Sequence, residues 1–540
     1  MPTYLRFMHE RLLAIGALCT SLLNSTNAQW ESDITLNTRL CDLAATQINS
    51  SAISDGSGGT FHAWSDNRVP GSVDLFAQHL DANGVRLWTT DGIQLSTSGF
   101  DGQPALLADG AGGVWIAWLG QFIFNMQLQH LDASGTALLQ PGGVQALFAT
   151  GVLNWSRLAH DGAGGVMMAL GVENNVDRAV TVQRVDMNGL PLWPLTGQGF
   201  TVGNSFCAER IRMVEGNNAS LIFLWTDVEH RMQRIDTSGT WQWGANGTVI
   251  GAASGCQIFR RLCEDGAGGA FVAYATESYS TDSLHLQHVA SDGAIQWGSD
   301  GLLLIEPGFN ISAGHLVADG VGGAFLLAYL SGSTEQRYHL YHLAASGNIT
   351  STTVLYSGGI SANGQCALGQ VVNGNCPVLW FEQPPGLKRG RLQRVDLSGT
   401  TQWPTPLDVW ESGGANGIYN EEISGHADGS TTITWDDNRL NPQQTVRAHH
   451  ISATGPSALE ESGQAAIILY PTPSTGMVRV GGLAGITQWR VLSADGRLLD
   501  HGTITGNSAQ LEFDALANGA YWLALENNGV RTLLRAVIMR

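Results

Sequence analysis

Lysine is nearly absent from the chain: Lys388 is the single one among 540 residues, which leaves Schiff-base or P-loop lysine chemistry one candidate, in an expected loop. Positive charge is scarce in general. Lys+Arg number 27 against 46 Asp+Glu, and the resulting net charge of −19 repels a phosphate backbone instead of releasing its counterions, so nucleic acid is excluded as a partner. Long apolar runs are missing too. Outside one short N-terminal run nothing approaches the ~20 residues of a bilayer span, and no transmembrane segment is expected. Neither H-E-x-x-H nor G-x-S-x-G occurs, so no motif suggests hydrolysis. Proline is ordinary at 16, but glycine takes 68 positions, about an eighth of the chain against a usual ~7%. With 43% hydrophobic and 14% charged residues the chain is too apolar for disorder, and its glycine excess points to a β-rich fold with many tight turns.

Arg6, His9, Glu10 and Arg11 precede the apolar run Leu12 to Leu23, which at about twelve residues suits a signal-peptide core and is too short to cross a bilayer. Ser25-Thr26-Asn27-Ala28 follows. The expectation is a signal peptide over residues 1–28, with a buried N-terminal helix as the alternative. Cys19 leaves with it, and Cys41, Cys207, Cys256, Cys263, Cys366 and Cys376 remain, an even number in an exported chain. No pair is spaced C-x-x-C, so neither zinc nor a redox motif is suggested. Disulfides and free buried thiols stay equally open.

A glycine-rich turn recurs along the chain as Asp55-Gly56-Ser57-Gly58-Gly59, Asp109-Gly110-Ala111-Gly112-Gly113, Asp161-Gly162-Ala163-Gly164-Gly165, Asp265-Gly266-Ala267-Gly268-Gly269 and Asp319-Gly320-Val321-Gly322-Gly323, with weaker copies at Glu215, Asn373 and Asp428. The mean spacing of about 53 residues is that of a four-stranded propeller blade with its loops. Each copy continues with an apolar run such as Val114-Trp115-Ile116-Ala117-Trp118, then a strand, a second Asp- or Asn-led turn, and a tryptophan: Trp88, Trp193, Trp243, Trp297 or Trp403. Asp-Gly and Asn-Gly between β-rich runs are hairpin signals. The last copy stops at Gly455 without its tryptophan, whereas Trp30-Glu31-Ser32-Asp33 near the N-terminus resembles the missing tail. The fold class expected is therefore all-β: an eight-bladed β-propeller over residues 29–455, its N-terminal strand closing the last blade and removing a free sheet edge. An open solenoid of the same units is the alternative.

Residues 456–466 read as a polar linker. Beyond them stand Leu469-Tyr470-Pro471-Thr472-Pro473-Ser474-Thr475-Gly476, then Val491-Leu492-Ser493-Ala494-Asp495-Gly496, then Leu516-Ala517-Asn518-Gly519-Ala520-Tyr521-Trp522-Leu523, and a final apolar strand. This segment resembles the type A C-terminal sorting domain of the type IX secretion system of Bacteroidota, with Thr472 where that family usually has Asn. The resemblance implies a small β-sandwich over 467–540, export across the outer membrane to the surface or the medium, and the type IX machinery as partner. Its motif residues would be Tyr470, Pro471, Pro473, Gly476, Asp495, Gly496, Gly519 and Tyr521. From residues alone the segment is an all-β module of short strands and glycine turns, for which a carbohydrate-binding sandwich is the other reading.

In a propeller the Asp-Gly turns share one face, and the connections of varying length share the other, where binding residues are expected. The candidates are Asp66, Arg68, Glu229, Tyr279, Arg337, Asp437 and Arg439. Trp64-Ser65-Asp66-Asn67-Arg68 and Trp435-Asp436-Asp437-Asn438-Arg439 match closely; their Asp and Arg can pair with each other or hold a polar ligand. Calcium is conceivable on Asp66, Asp436 and Asp437, although an EF-hand ladder is missing. No other cofactor is expected. His79, His130, His288, His342 and His450 share a column with Arg184, Arg234 and Arg394, and a position that accepts either residue is no metal ligand. Leu80-Asp81-Ala82-Asn83-Gly84-Val85-Arg86-Leu87-Trp88 looks like the tryptophan-docking repeat of quinoprotein dehydrogenases, but no adjacent Cys-Cys pair accompanies it. The expected function is that of an extracellular binding module for a glycan or protein, with a polysaccharide hydrolase as alternative if acids gather near the channel mouth.

Overall fold

A computed structural model of the chain describes residues 30, 31, 33–97, 99, 101–120, 125–148, 152–173, 178–203, 211–226, 229–252, 260–275, 283–359, 362–384, 386–412, 418–439, 444–455, 468–470, 477–481, 486–493, 497–506, 508–513, 515–527 and 530–538. Residues 1–28, where a signal peptide is expected, and Cys207, Cys256 and Tyr279 lie outside the described residues. The chain divides into two compact units, Met1–Ala453 and Thr454–Arg540. Among the described residues the named elements are all strands, and no helix is long and apolar enough to cross a membrane.

The strands of the first unit form eight four-stranded antiparallel sheets. The first sheet runs Gln47–Ser54, Thr60–Asp66, Asp74–Leu80 and Ile93–Gln94, in chain order. The sheet of Ile418–Gly425, Thr431–Asp437 and Thr445–Ile451 takes its fourth strand from the other end of the chain, where Thr38 pairs with Ala448 and Arg39 with Arg447. The leading strand of each sheet neighbours that of the next, and Ile418–Gly425 neighbours Gln47–Ser54, so the sheets follow a propeller-like path. Second strands such as Thr60–Asp66 and Ser220–Thr226 are buried at every residue. Covered on both faces, Ser220–Thr226 reads as a near-continuous apolar run without alternation, whereas Thr60–Asp66 buries His62, Ser65 and Asp66 on polar partners. Trp115, Ala117 and Leu128 of one sheet share a cluster with Leu158, Met168 and Leu170 of the next.

The repeated turn is fastened by its aspartate. Asp109 Oδ1 accepts from the backbone N–H of Ala111 at 2.7 Å and of Gly113 at 2.8 Å, while its Oδ2 meets His130 Nε2 at 2.8 Å. Asp55–His79, Asp265–His288 and Asp319–His342 repeat the pairing, and in the third sheet Arg184 Nε takes the histidine's place on Asp161 at 3.0 Å. What the column requires is a donor opposite the turn, which is why it tolerates either residue. A Cβ on Gly113 would lie 2.4 Å from the carbonyl oxygen of Leu131, so the cross-strand approach itself demands glycine.

A buried glutamine precedes that donor and ties the third strand to the tryptophan. Gln287 Oε1 accepts from the N–H of His288 at 3.1 Å and of Trp297 at 3.0 Å, and its Nε2 donates to Gly298 O at 2.7 Å. Gln78, Gln183, Gln233 and Gln393 do the same in other sheets, and Gln129 accepts from the N–H of Leu139, which stands where the tryptophan would. The tryptophan then reaches the next sheet: Trp297 Nε1 donates to Ala345 O at 3.2 Å and Trp88 Nε1 to Ala133 O at 3.2 Å. Trp30, from the N-terminal segment, donates in the same way to Ala82 O at 2.9 Å and stacks on His450 at 5.1 Å. Gln287→Leu leaves three backbone groups without that partner at once, the Trp297 N–H among them buried, and about 1–3 kcal/mol of stability should be lost. Urea unfolding of the purified variant reads the loss, and an unchanged midpoint would contradict the tie.

In the second unit Ile468–Tyr470, Met477–Gly481 and Ser508–Glu512 form one antiparallel sheet, and Leu498–Thr505, Ile486–Leu492, Gly519–Asn527 and Val530–Ile538 another. Val478, Val480, Val491, Leu511, Leu523 and Ile538 of both sheets share one apolar cluster. Tyr470 ends a strand, Gly519 begins one, and Tyr521 Oη donates to Ala517 O at 2.8 Å. Pro471, Pro473, Gly476, Asp495 and Gly496 lie outside the described residues.

Candidate functional site

The acid–arginine motifs at the ends of second strands are built as internal ion pairs. Arg68 Nη2 lies 2.6 Å from Asp66 Oδ2, with its guanidinium 3.6 Å over the Phe76 ring, and Trp64 Nε1 donates to the same carboxylate at 3.1 Å. Arg439 Nη2 lies 2.6 Å from Asp437 Oδ2, which Arg447 Nε also meets at 3.0 Å. Arg439 further donates to Ile34 O, Glu411 O and Asn37 Oδ1 at 2.7–2.9 Å. Glu229 pairs with Arg231 at 2.5 Å, and Arg337 pairs with Glu335 at 2.7 Å while covering the Phe309 ring at 4.4 Å.

The expected calcium grouping is not assembled. Asp66 and Asp437 are neutralised by their arginines, and Asp436 turns to the first sheet, accepting from Asn49 N at 2.8 Å, Ser50 N at 3.2 Å and Asn420 Nδ2 at 2.6 Å. Oxygens engaged in this way are spent on protein donors. Among the described residues no three His, Cys, Asp or Glu are arranged to hold a metal ion, and Cys41, Cys263, Cys366 and Cys376 are free thiols.

The concave site lies elsewhere, along leading strands that the sequence reading passes over. A cavity of about 480 Å³ is lined by Asn49–Ser51, Gln103–Ala105, Ser156–Arg157, Ile211–Met213 and Asn420–Glu422. These belong to a contiguous arc of five leading strands, those beginning at Ile418, Gln47, Gly102, Val152 and Arg212. Three of them break register at matching places, between Tyr419 and Glu422, Ile48 and Ser51, and Gly102 and Ala105. At each break one residue turns left-handed, Asn420 (φ 53°), Asn49 (φ 54°) and Gln103 (φ 53°). Bulges of this kind re-aim side chains beside functional sites, and non-glycine residues at positive φ are held there at a cost.

Acids and arginines both line the cavity wall. Glu422 accepts from Ser51 Oγ at 3.2 Å and from the Ala52 N–H. Glu421 Oε1 has no hydrogen-bond partner among the described residues. Burial pushes both carboxyls up to about 7, so each is partly protonated at neutral pH. Burial also raises Asp436. Arg157 Nε donates to Met213 O at 3.3 Å. Further round the leading strands, burial lowers His315 to about 4 and raises the Cys366 thiol to about 12, so both are neutral at pH 7. The one sequence signal for this site is Glu421-Glu422 in a strand otherwise free of acids, and periodicity alone gives it no meaning.

Residues 468–539 match the family of secretion system C-terminal sorting domains, and the C-terminal segment is such a domain. No curated protein matches the sequence. Among solved structures the chain is similar to a polysaccharide lyase of family PL25, an ulvan lyase, at 10% identity and a TM-score of 0.42, covering 77% of this chain and 96% of that one. It is similar to the polysaccharide lyase Uly1 at 10% identity and 0.39, covering 73% and 88%. PorZ, a bacterial surface component of the type IX secretion system of Porphyromonas gingivalis, aligns at 13% identity and 0.29, covering 91% and 70%.

Proposed function

We propose that the chain is an exported eight-bladed β-propeller, residues 29–455, carried by a β-sandwich sorting domain to the cell surface or medium, where it acts as a binding module. The ligand enters the cavity on the leading strands. The observation that carries this reading is the cavity of about 480 Å³, of a size with small-ligand sites, walled by polar residues from five successive strands. The acid–arginine motifs support the scaffold around it, because their charges are already paired. A polysaccharide hydrolase is the second reading, favoured by one observation: Glu421, held near neutrality with an unpartnered oxygen, suits a general acid.

Glycan-array and pull-down screening of the full chain, with and without Asn420→Trp to fill the cavity, tests the binding reading. Cavity-dependent capture supports it, whereas polysaccharide cleavage lost in Glu421→Gln would replace it by the hydrolase. Export is tested separately. Deleting residues from 467 onward should trap the protein in the periplasm, and unchanged release to the medium would overturn the assignment of the sorting domain to that task.

A further inference from the structure

Arg157 differs from the motif arginines in having nothing to neutralise it. Arg68, Arg337 and Arg439 each meet a carboxylate within 2.7 Å. Arg157 forms no ion pair among the described residues; its one hydrogen bond there is from Nε to Met213 O. Its terminal nitrogens are thus left with four donor hydrogens at the cavity wall. Glu422 is near enough to feel its charge, but the Glu422 carboxyl is bonded to Ser51 and Ala52 instead. In a chain of net charge −19, an exposed guanidinium at a cavity wall without a counter-ion leaves its terminal donors open to an anion.

The rest of the wall narrows the ligand class. Asn49, Gln103 and Ser156 offer side-chain amides and a hydroxyl, each both donor and acceptor, which suits adjacent sugar hydroxyls. Among the described residues the lining holds no aromatic ring, so an acidic peptide would find no anchor there for a large side chain. The acids that face Arg157 oppose an anion less than their number suggests, because burial keeps Glu421 and Glu422 partly protonated at neutral pH. We infer that the cavity takes an acidic saccharide, with a carboxylate or sulfate group seated on Arg157 and ring hydroxyls on the amides of the bulged strands. This inference rests on the binding reading of the same cavity.

Calorimetric titration of the full chain at pH 7 and low salt decides it, with five probes: a uronate oligosaccharide, a sulfated one, a neutral one of equal length, a glutamate-rich peptide and inorganic sulfate. At least one acidic oligosaccharide should bind at least tenfold more tightly than the neutral one, and Arg157→Gln should weaken it at least tenfold. The uronate and sulfated arms separate the two anion sources, and sulfate should compete. Neutral and acidic oligosaccharides binding equally, indifferent to Arg157→Gln, would overturn the acidic class while leaving the cavity as a glycan site. Preference for the peptide would overturn the saccharide class. No binding by any probe, or binding untouched by Asn420→Trp, would sink both the inference and the reading beneath it. Should Arg157→Gln fail to fold, Arg157→Lys and salt dependence decide: acidic-saccharide affinity that does not fall as salt rises overturns the inference.

Discussion

Asp437→Ala should cost the first unit about 3–5 kcal/mol, because it leaves two arginines in the interior without their counter-charge. The Asp437 side chain is 1% exposed, Arg439 4% and Arg447 6%. Those arginines hold the N-terminal segment: Arg439 donates to Ile34 O at 2.8 Å and Asn37 Oδ1 at 2.7 Å, and Arg447 to Asn37 O at 3.2 Å and to Leu36 O. The loss should therefore concentrate where Thr38–Arg39 pairs with the last sheet, and limited proteolysis should cut the variant near residue 34 first. Asp66→Ala removes the matching carboxylate of the first sheet but frees an arginine that is 16% exposed, so water takes over part of the lost interaction and a smaller cost is expected. Asp437→Asn, which keeps an acceptor and loses the charge, should fall between. Equal urea midpoints for Asp437→Ala and Asp66→Ala would refute the difference drawn between the two motifs.

Features that recur from sheet to sheet are legible in the sequence. The Asp-Gly turn, the glutamine, the His or Arg column and the tryptophan recur because each closes a local set of hydrogen bonds, and repetition at about 53-residue spacing makes them visible. Trp30 is legible for the same reason, since it serves His450 and Ala82 as Trp88 serves His79 and Ala133. The cavity is not legible, because its residues belong to no shared column: Arg157, Gln103 and Glu421 stand on different strands and meet only through bulges. A bulge shifts the two-residue alternation by one place, and no turn residue marks where that happens. The candidates on the variable connections were conspicuous for a structural reason. An Asp and an Arg two residues apart at a strand end attract attention, and in Asp66–Arg68 and Asp437–Arg439 they satisfy each other.

Acidification from pH 6.5 to 4.5 should destabilise the first unit steeply. Burial holds His62 and His230 down to about 3 and His315, His449 and His450 to about 4, and it lowers His339 and His426 as well. In the unfolded chain these rings take up a proton near pH 6.5, so the stability they contribute is present above that value and is lost as pH falls toward the folded values. Glu421 and Glu422 act in the opposite sense. Their folded carboxyls keep a proton up to about 7, so what they contribute is present below about 4.5 and is lost as pH rises. Histidines outnumber these acids in the window, and unfolding at pH 5.5 should take up about three protons, or about 4 kcal/mol for each pH unit. That slope brings a domain of ordinary stability to the edge of unfolding by about pH 4.5. Below it, protonation of Asp55, Asp109 and Asp265, whose carboxyls turn N–H groups and a histidine hold well under the usual range against the opposing effect of burial, removes a further share. Urea midpoints measured at half-unit steps from pH 8 to 5 test the slope. His62→Gln, which keeps a donor for Thr60 and cannot titrate, should flatten it by about one proton; midpoints that hold steady or rise between pH 7 and 5 would show that these rings are protonated in the folded chain.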